Sequence, residues 1–189
     1  MDYITQIDIQ ILDFIREHLS APLLDKVFPI FTALGNGGGI FLLLALLLLI
    51  MKPYRKVGIN LAVAIAMNTL LVNLIIKPLV SRTRPYALVE GIKLLIAKPV
   101  DSSFPSGHTA IAFVVATVIF CYHKKDGALL FVVAAFMGFS RLYLYVHYPS
   151  DVLGGMLIGC LCGVVSVFLV KDKKFSIKKQ SNQVDSASS

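Results

Sequence analysis

The chain alternates long apolar stretches with short polar breaks, and the apolar stretches have the length of membrane helices. Residues 27–51, 57–76 and 152–170 contain no Asp, Glu, Lys or Arg. Residues 127–146 hold one charge, Arg141, and residues 102–122 hold only the titratable His108. About 20 apolar residues cross a bilayer as a helix, so five spans is the economical count. Pro22 and Pro29 are expected to break the approach to the first span, and Gly35-Asn36-Gly37-Gly38-Gly39 interrupts it. A broken or re-entrant start somewhere between residues 27 and 40 is therefore predicted. Ahead of it, Ile4, Ile7, Ile11, Phe14, Ile15 and Leu19 recur at helical spacing, with Asp8, Asp13 and Glu17 mostly elsewhere. That pattern is an amphipathic helix, too polar to span and expected to lie at the membrane interface.

The predicted fold class is all-α: a polytopic membrane helix bundle of about five transmembrane helices plus an N-terminal amphipathic interfacial helix. One domain is expected over 1–180, with the interfacial helix in 1–21 and the transmembrane bundle in 27–170. Residues 181–189 are small and polar and are expected to form a disordered tail. Composition agrees: 57% of residues are hydrophobic, 15% are charged and mean hydropathy is +0.78. A soluble domain carries nearer a quarter charged residues.

The net charge of +7 raises the question of nucleic acid, and its distribution answers it. Lys52, Arg55 and Lys56 share one connection, Lys124 and Lys125 another, and five more lysines between Lys171 and Lys179 follow the last span. With five alternating helices these fall on one side, and cytoplasmic loops collect Lys and Arg. The reading is a topology signal: a multi-pass plasma-membrane protein with a cytoplasmic C-terminus, no nucleic-acid partner, and an oligomeric state left open. No basic segment followed by a short apolar core opens the chain, so no signal peptide is expected. Cys121, Cys160 and Cys162 all lie in apolar runs and are read as packing residues rather than a disulfide or metal set.

Against this background, six ionisable residues stand at the ends of apolar runs: Lys77, Arg84, His108, Arg141, His147 and Asp151. A charge at membrane depth costs about 2.5–3.5 kcal/mol on insertion scales, so each requires a reason. Span alternation brings all six to the extracytoplasmic ends of spans 2–5, and that placement used only the basic residues at the other ends. Ser106 is positioned to cap a helix whose N-terminal N–H groups and dipole favour an anion, and Gly107 allows close approach to the backbone. The guanidinium of Arg84 matches phosphate oxygens in two places at once, whereas Arg82, Lys93 and Lys98 read as interface charges. Arg141, well inside span 4, needs an anion, either Asp151 or a bound phosphate. Asp151 follows His147 by four residues and can fix its tautomer, leaving the other ring nitrogen free to attack. Two histidines permit one to attack phosphorus while the other protonates the departing oxygen. Three cations stabilise the equatorial oxygens, a task often given to metal ions. With no paired-carboxylate motif, neither a metal nor a cofactor is expected. His18 and His123 stand apart as solvent or interface residues.

In order and spacing, KPLVSRTRP, FPSGH and SRLYLYVHYPSD resemble the K-x6-RP, PSGH and SR-x5-H-x3-D pattern of the type 2 phosphatidic acid phosphatase (PAP2) superfamily. The match covers about 77–155 directly, with no departure at a motif position. The resemblance implies that His147 is the nucleophile forming a phosphohistidine, oriented by Asp151, and that His108 is the general acid. It makes Lys77, Arg84, Ser106, Gly107 and Arg141 the phosphate cradle. It also implies a membrane lipid phosphate substrate, with undecaprenyl diphosphate the leading expectation. The alternatives are phosphatidylglycerophosphate or phosphatidate, transfer of the phosphoryl group to another lipid, and a carrier that binds without cleavage. Many relatives have six spans, and this chain lacks a full first one.

Overall fold

A computed structural model of the chain describes residues 3–170. The lysines from Lys171 onward and the tail 181–189 lie outside the described residues. Within them the regular structure is helical: α1 Tyr3–Leu19, α2 Pro22–Ala33, α3 Gly39–Ile50, α4 Arg55–Thr69, α5 Lys77–Val80, α6 Pro85–Leu88, α7 Gly107–Tyr122, α8 Lys124–Tyr143 and α9 Pro149–Leu169. By length and composition, the stretch Lys52–Leu88, α8 and α9 can each cross a membrane. The pair α2 and α3, bent by 41°, supplies a fourth candidate, and α7 is a shorter apolar helix of 16 residues.

The prolines do not act as expected. Pro22 opens α2, where its missing N–H removes no helical hydrogen bond, and Pro29 lies inside the same helix. The break falls instead at Asn36–Gly38, where Gly37 and Gly38 adopt φ values of 62° and 72° that favour glycine. A second irregularity follows α4: residues Leu70–Ile76 wind as a π-helix that runs into α5 and stops at Ser81 in the left-handed region. Lys77 and Arg84 are thus separated by the end of α5 and do not share a continuous helix face.

Helix α7 is the centre of the bundle. Ala110, Val114, Ala116 and Val118 along it are wholly enclosed, and it packs against α9, α8 and α4. Its most extensive contact is with α9, through Gly155, Gly159 and Gly163, one turn apart. A Cβ on Gly159 would stand 2.2 Å from the Ala110 carbonyl oxygen, one on Gly155 2.6 Å from that of Ser106, and one on Gly163 2.7 Å from Thr117 Cβ. Small residues at this spacing let membrane helices approach backbone to backbone. The large apolar side chains of α9 point the other way, with Leu157 71% and Phe168 66% exposed, as on a lipid-facing surface.

Helix α1 turns a mixed polar and apolar face to the bundle. Thr5, Asp8, Leu12 and Ile15 are buried against the bundle, and Ile4, Ile7, Ile11 and Phe14 are left outside. Asp8, assigned by pattern to the polar face, is 4% exposed. Among the cysteines, Cys162 is in the core and Cys160 half-buried, but Cys121 is exposed and does not pack as expected.

Candidate active site

Helix ends assemble the site. Lys77 begins α5, Arg84 precedes α6, Gly107 and His108 open α7, Arg141 lies in the last turn of α8, and His147 stands in the turn before α9. These six residues line one cavity of about 640 Å³. Ser106 and Asp151 are fully buried behind its wall. The Ser106 hydroxyl caps no backbone N–H. It accepts a 2.9 Å hydrogen bond from the Thr109 hydroxyl, and the Ser106 N–H donates to the Asp151 carbonyl at 3.0 Å.

His147 is 1% exposed. Arg84 Nη1 approaches its Nε2 to 3.2 Å. A guanidinium only donates, so this contact puts the lone pair on Nε2 and the ring proton on Nδ1. Nδ1 in turn faces Asp151 Oδ2 at 3.4 Å, long for a hydrogen bond. Burial and the Arg84 and Arg141 charges outweigh the Asp151 carboxylate and hold the imidazole down at about 4. A neutral ring at physiological pH, with its lone pair directed among cations, is equipped to attack an electrophile.

Asp151 is itself held from several sides. Oδ2 accepts from Ser103 Oγ at 2.5 Å and from the Tyr148 N–H at 2.9 Å, and Oδ1 accepts from Arg82 Nη1 at 2.7 Å. Arg82 is therefore not an interface charge attracting headgroups. Its other nitrogen donates to Asp8 Oδ2 at 2.8 Å, its guanidinium lies 3.9 Å from the Tyr148 ring centroid, and Asp8 Oδ1 accepts from the Ser150 N–H at 3.0 Å. Helix α1 thereby braces the start of α9. Replacing Arg82 with Met leaves two buried carboxylates without their cation. Stability is expected to fall by about 3–5 kcal/mol, with Arg82→Lys recovering part of the loss in thermal unfolding.

The cations are engaged differently from expectation. Arg141 Nη1 donates to Thr32 Oγ1 at 2.5 Å, so Asp151 is not its partner, and its buried Nε makes no hydrogen bond among the described residues. Lys77 and Arg84 both pair with Asp101, the Arg84 Nη2 contact being 2.7 Å. Burial pushes the Asp101 carboxyl up, but Lys77 and Arg84 more than reverse this and hold it at about 2. A carboxylate thus sits on the same two cations that the sequence assigned to a phosphate. Lys98 lies at the cavity rim rather than on an unrelated surface, and Asn36 Oδ1 meets His108 Nε2 at 3.0 Å. His18 and His123 are exposed and do not line this cavity.

Asp101, Arg82, Asp8, Thr32 and Asn36 carry no motif of their own. Asn36, embedded in glycines, Arg82, inside the first block, and Asp101, seven residues ahead of His108, stand where the sequence offers a signal.

Comparison with known proteins gives this arrangement a lineage. The model of the PAP2 superfamily matches residues 57–175. The chain belongs to that superfamily. A 122-residue segment is 35% identical to an undecaprenyl-diphosphatase of Sulfolobus acidocaldarius, covering 64% of this chain and 59% of that protein. The crystal structure of Aquifex aeolicus LpxE aligns with a TM-score of 0.75 at 36% identity, over 85% of this chain and 94% of that one. A PAP2-type phosphatidylglycerolphosphate phosphatase from Bacillus subtilis aligns with a TM-score of 0.68 at 26% identity, over 94% and 88%. The matched segments span about half the length of several curated relatives, from 40% to 59%. The PAP2 membership accounts for the three blocks at once, and the two solved structures align over 85% and 94% of the chain.

Proposed function

We propose that this chain is an integral membrane lipid phosphatase working through a phosphohistidine on His147, with undecaprenyl diphosphate as preferred substrate. The observation that carries the reading is the neutral, buried His147, its Nε2 lone pair 3.2 Å from Arg84 and its Nδ1 facing Asp151. Nε2 attacks phosphorus as the bond to the leaving oxygen breaks, and His108 gives that oxygen a proton. Asp151 stabilises the cationic ring so formed. Water, deprotonated by His108, then attacks the phosphohistidine, releasing phosphate and restoring Nε2. Lys77, Arg84, Arg141 and the backbone at Gly107 bear the charge on the equatorial oxygens, a role that makes the chemistry independent of a metal. Ser106 supports the cradle from behind.

The undecaprenyl substrate rests on the relative of that name, and the cavity volume leaves room beyond one phosphate for a second. The Bacillus subtilis neighbour favours phosphatidylglycerophosphate as the second reading. A transferase would use the same residues, and a carrier would need neither a proton donor nor an oriented nucleophile. The domain is read as one unit over 1–180 with five crossings, α7 included and the bent α2–α3 counted as one. Helix α1 lies in the interface with Ile4, Ile7, Ile11 and Phe14 toward lipid. Lys52, Arg55, Lys56, Lys124 and Lys125 stand at the helix ends opposite the site, which supports an outward-facing cavity and a cytoplasmic C-terminus. The test is phosphate release from undecaprenyl diphosphate, phosphatidylglycerophosphate and phosphatidate, each with and without EDTA. The reading expects the diphosphate to be turned over fastest, unaffected by the chelator. Preference for another headgroup would replace the substrate, and a strict metal requirement would overturn the cation cradle.

Asp101 adds a prediction. An incoming phosphate competes with this carboxylate for Lys77 and Arg84. Asp101→Asn is expected to strengthen inhibition by inorganic phosphate about tenfold, the equivalent of roughly one charge-assisted hydrogen bond. An unchanged inhibition constant would show that Asp101 does not share the anion's place.

A further inference from the structure

The glycine-rich break in the first apolar stretch has an occupant on its inner side. At Gly35 a Cβ would stand 2.6 Å from His108 Cδ2, so the chain can pass this close to the imidazole only without a side chain there. The next residue, Asn36, points its Oδ1 at His108 Nε2, 3.0 Å away. Gly37 and Gly38 then take positive φ values and turn the backbone out again, with Gly38 pressed against Ile111 one turn further along α7. Residues 35–38 all line the cavity. The break thus folds over the first turn of α7, and 72 residues of sequence separate the two contacting side chains.

We propose that Asn36 is a positioning residue for His108, holding Nε2–H so that Nδ1 delivers the proton to the leaving oxygen. The inference rests on the reading in which His108 is the general acid. In the charged ring both nitrogens carry hydrogen. As the phosphorus–oxygen bond breaks, the Nδ1 proton passes to the leaving oxygen, and the neutral ring keeps its remaining proton on Nε2, donated to the Asn36 carbonyl oxygen. Nδ1 makes no protein hydrogen bond among the described residues, which leaves it for the substrate. The two histidines are then held in complementary ways. His147, which becomes cationic on attack, has a carboxylate at one nitrogen. His108, which must give a proton away, has a neutral amide, and an amide does not resist the loss of positive charge as a carboxylate would.

The test uses the full-length protein in detergent and two chain-matched amphiphilic monophosphates, one losing an alkyl alcohol and one a nitrophenol. Protonation matters for the first leaving group and little for the second. Asn36→Ala is expected to slow the alkyl substrate about 10–100-fold and the nitrophenyl substrate less than about threefold, with unchanged thermal unfolding. Asn36→Asp keeps an acceptor oxygen in place, but its carboxylate holds the proton on the ring, and it is expected to recover only part of the alkyl activity. In a His108→Ala background, itself selectively defective on the alkyl substrate, removing Asn36 should cost nothing more. Equal losses on both substrates in Asn36→Ala, or no loss on either, overturn the positioning role while leaving His108 in place. Equal losses in His108→Ala overturn the general-acid reading beneath it.

Discussion

Replacing His147 with Gln is expected to reduce turnover by a factor of about 10⁴ or more while the protein folds as before. Gln is close to His in volume, and its amide can accept from Arg84 and donate to Asp151, so the buried contacts at 3.2 and 3.4 Å have replacements. What Gln lacks is a nucleophilic nitrogen. The variant therefore separates chemistry from architecture. Phosphate release should vanish, and thermal unfolding should stay near that of the parent. Lipid phosphate should still bind, because Lys77, Arg84 and Arg141 are untouched. Substantial residual phosphate release would remove the nucleophilic role and leave the cavity as a binding site. At acid pH the same nucleophile should fail in the parent protein. The His147 ring, held down at about 4, is neutral and competent above that value and becomes protonated, and inert, as pH falls through it.

The largest effect on the fold is expected from Gly159→Val. Every atom added at Gly159 enters space held by the Ala110 carbonyl, 2.2 Å from the first of them, and a backbone group cannot rotate aside. Helices α7 and α9 must separate, so the loss should reach about 3 kcal/mol or more, at the upper end of overpacking costs. Activity should fall with stability, since α7 carries His108 and α9 begins at the His147–Asp151 pair. Leu157→Ala is the matched control. It sits on the same helix, 71% exposed on the outer face, and should change neither thermal unfolding nor turnover appreciably in detergent. A folded, active Gly159→Val protein would show that the α7–α9 contact does not hold the two halves of the site together.

These two residues also mark what could be read from sequence alone. His147 was legible because membrane depth makes each charge conspicuous and because its block repeats a spacing of known meaning. The bundle was legible for the same reason, since uncharged runs of span length admit few alternatives to helices. Gly155-x3-Gly159-x3-Gly163 is equally visible in the sequence as a stripe of small residues one helical turn apart. The clamp on Asp151 was not legible. Arg82, Asp8 and Ser150 meet across 74 and 142 residues of sequence through single contacts that leave no periodic trace. A helix wheel assigned Asp8 to the polar face, and it proved buried because Arg82 and Ser150 supply its hydrogen bonds there. Asp101 was legible as a carboxylate ahead of His108 but not as a partner of the two cations. It lies in the connection between spans, where no regular geometry links sequence position to place, and its pairing with Lys77 and Arg84 depends on how that connection folds back. Pro22 does not break the helix because the first turn of α2 has no hydrogen bond for it to remove, whereas Pro29 is carried inside α2 without ending it.

The most direct measurement is a trapping experiment with substrate labelled in its terminal phosphate, quenched in alkaline denaturant and mapped by mass spectrometry. The account predicts an acid-labile label on residue 147 in the parent protein, absent from His147→Gln and accumulating when the His108-assisted hydrolysis is impaired. Phosphate release with no label retained, or a label on any other side chain, would contradict it.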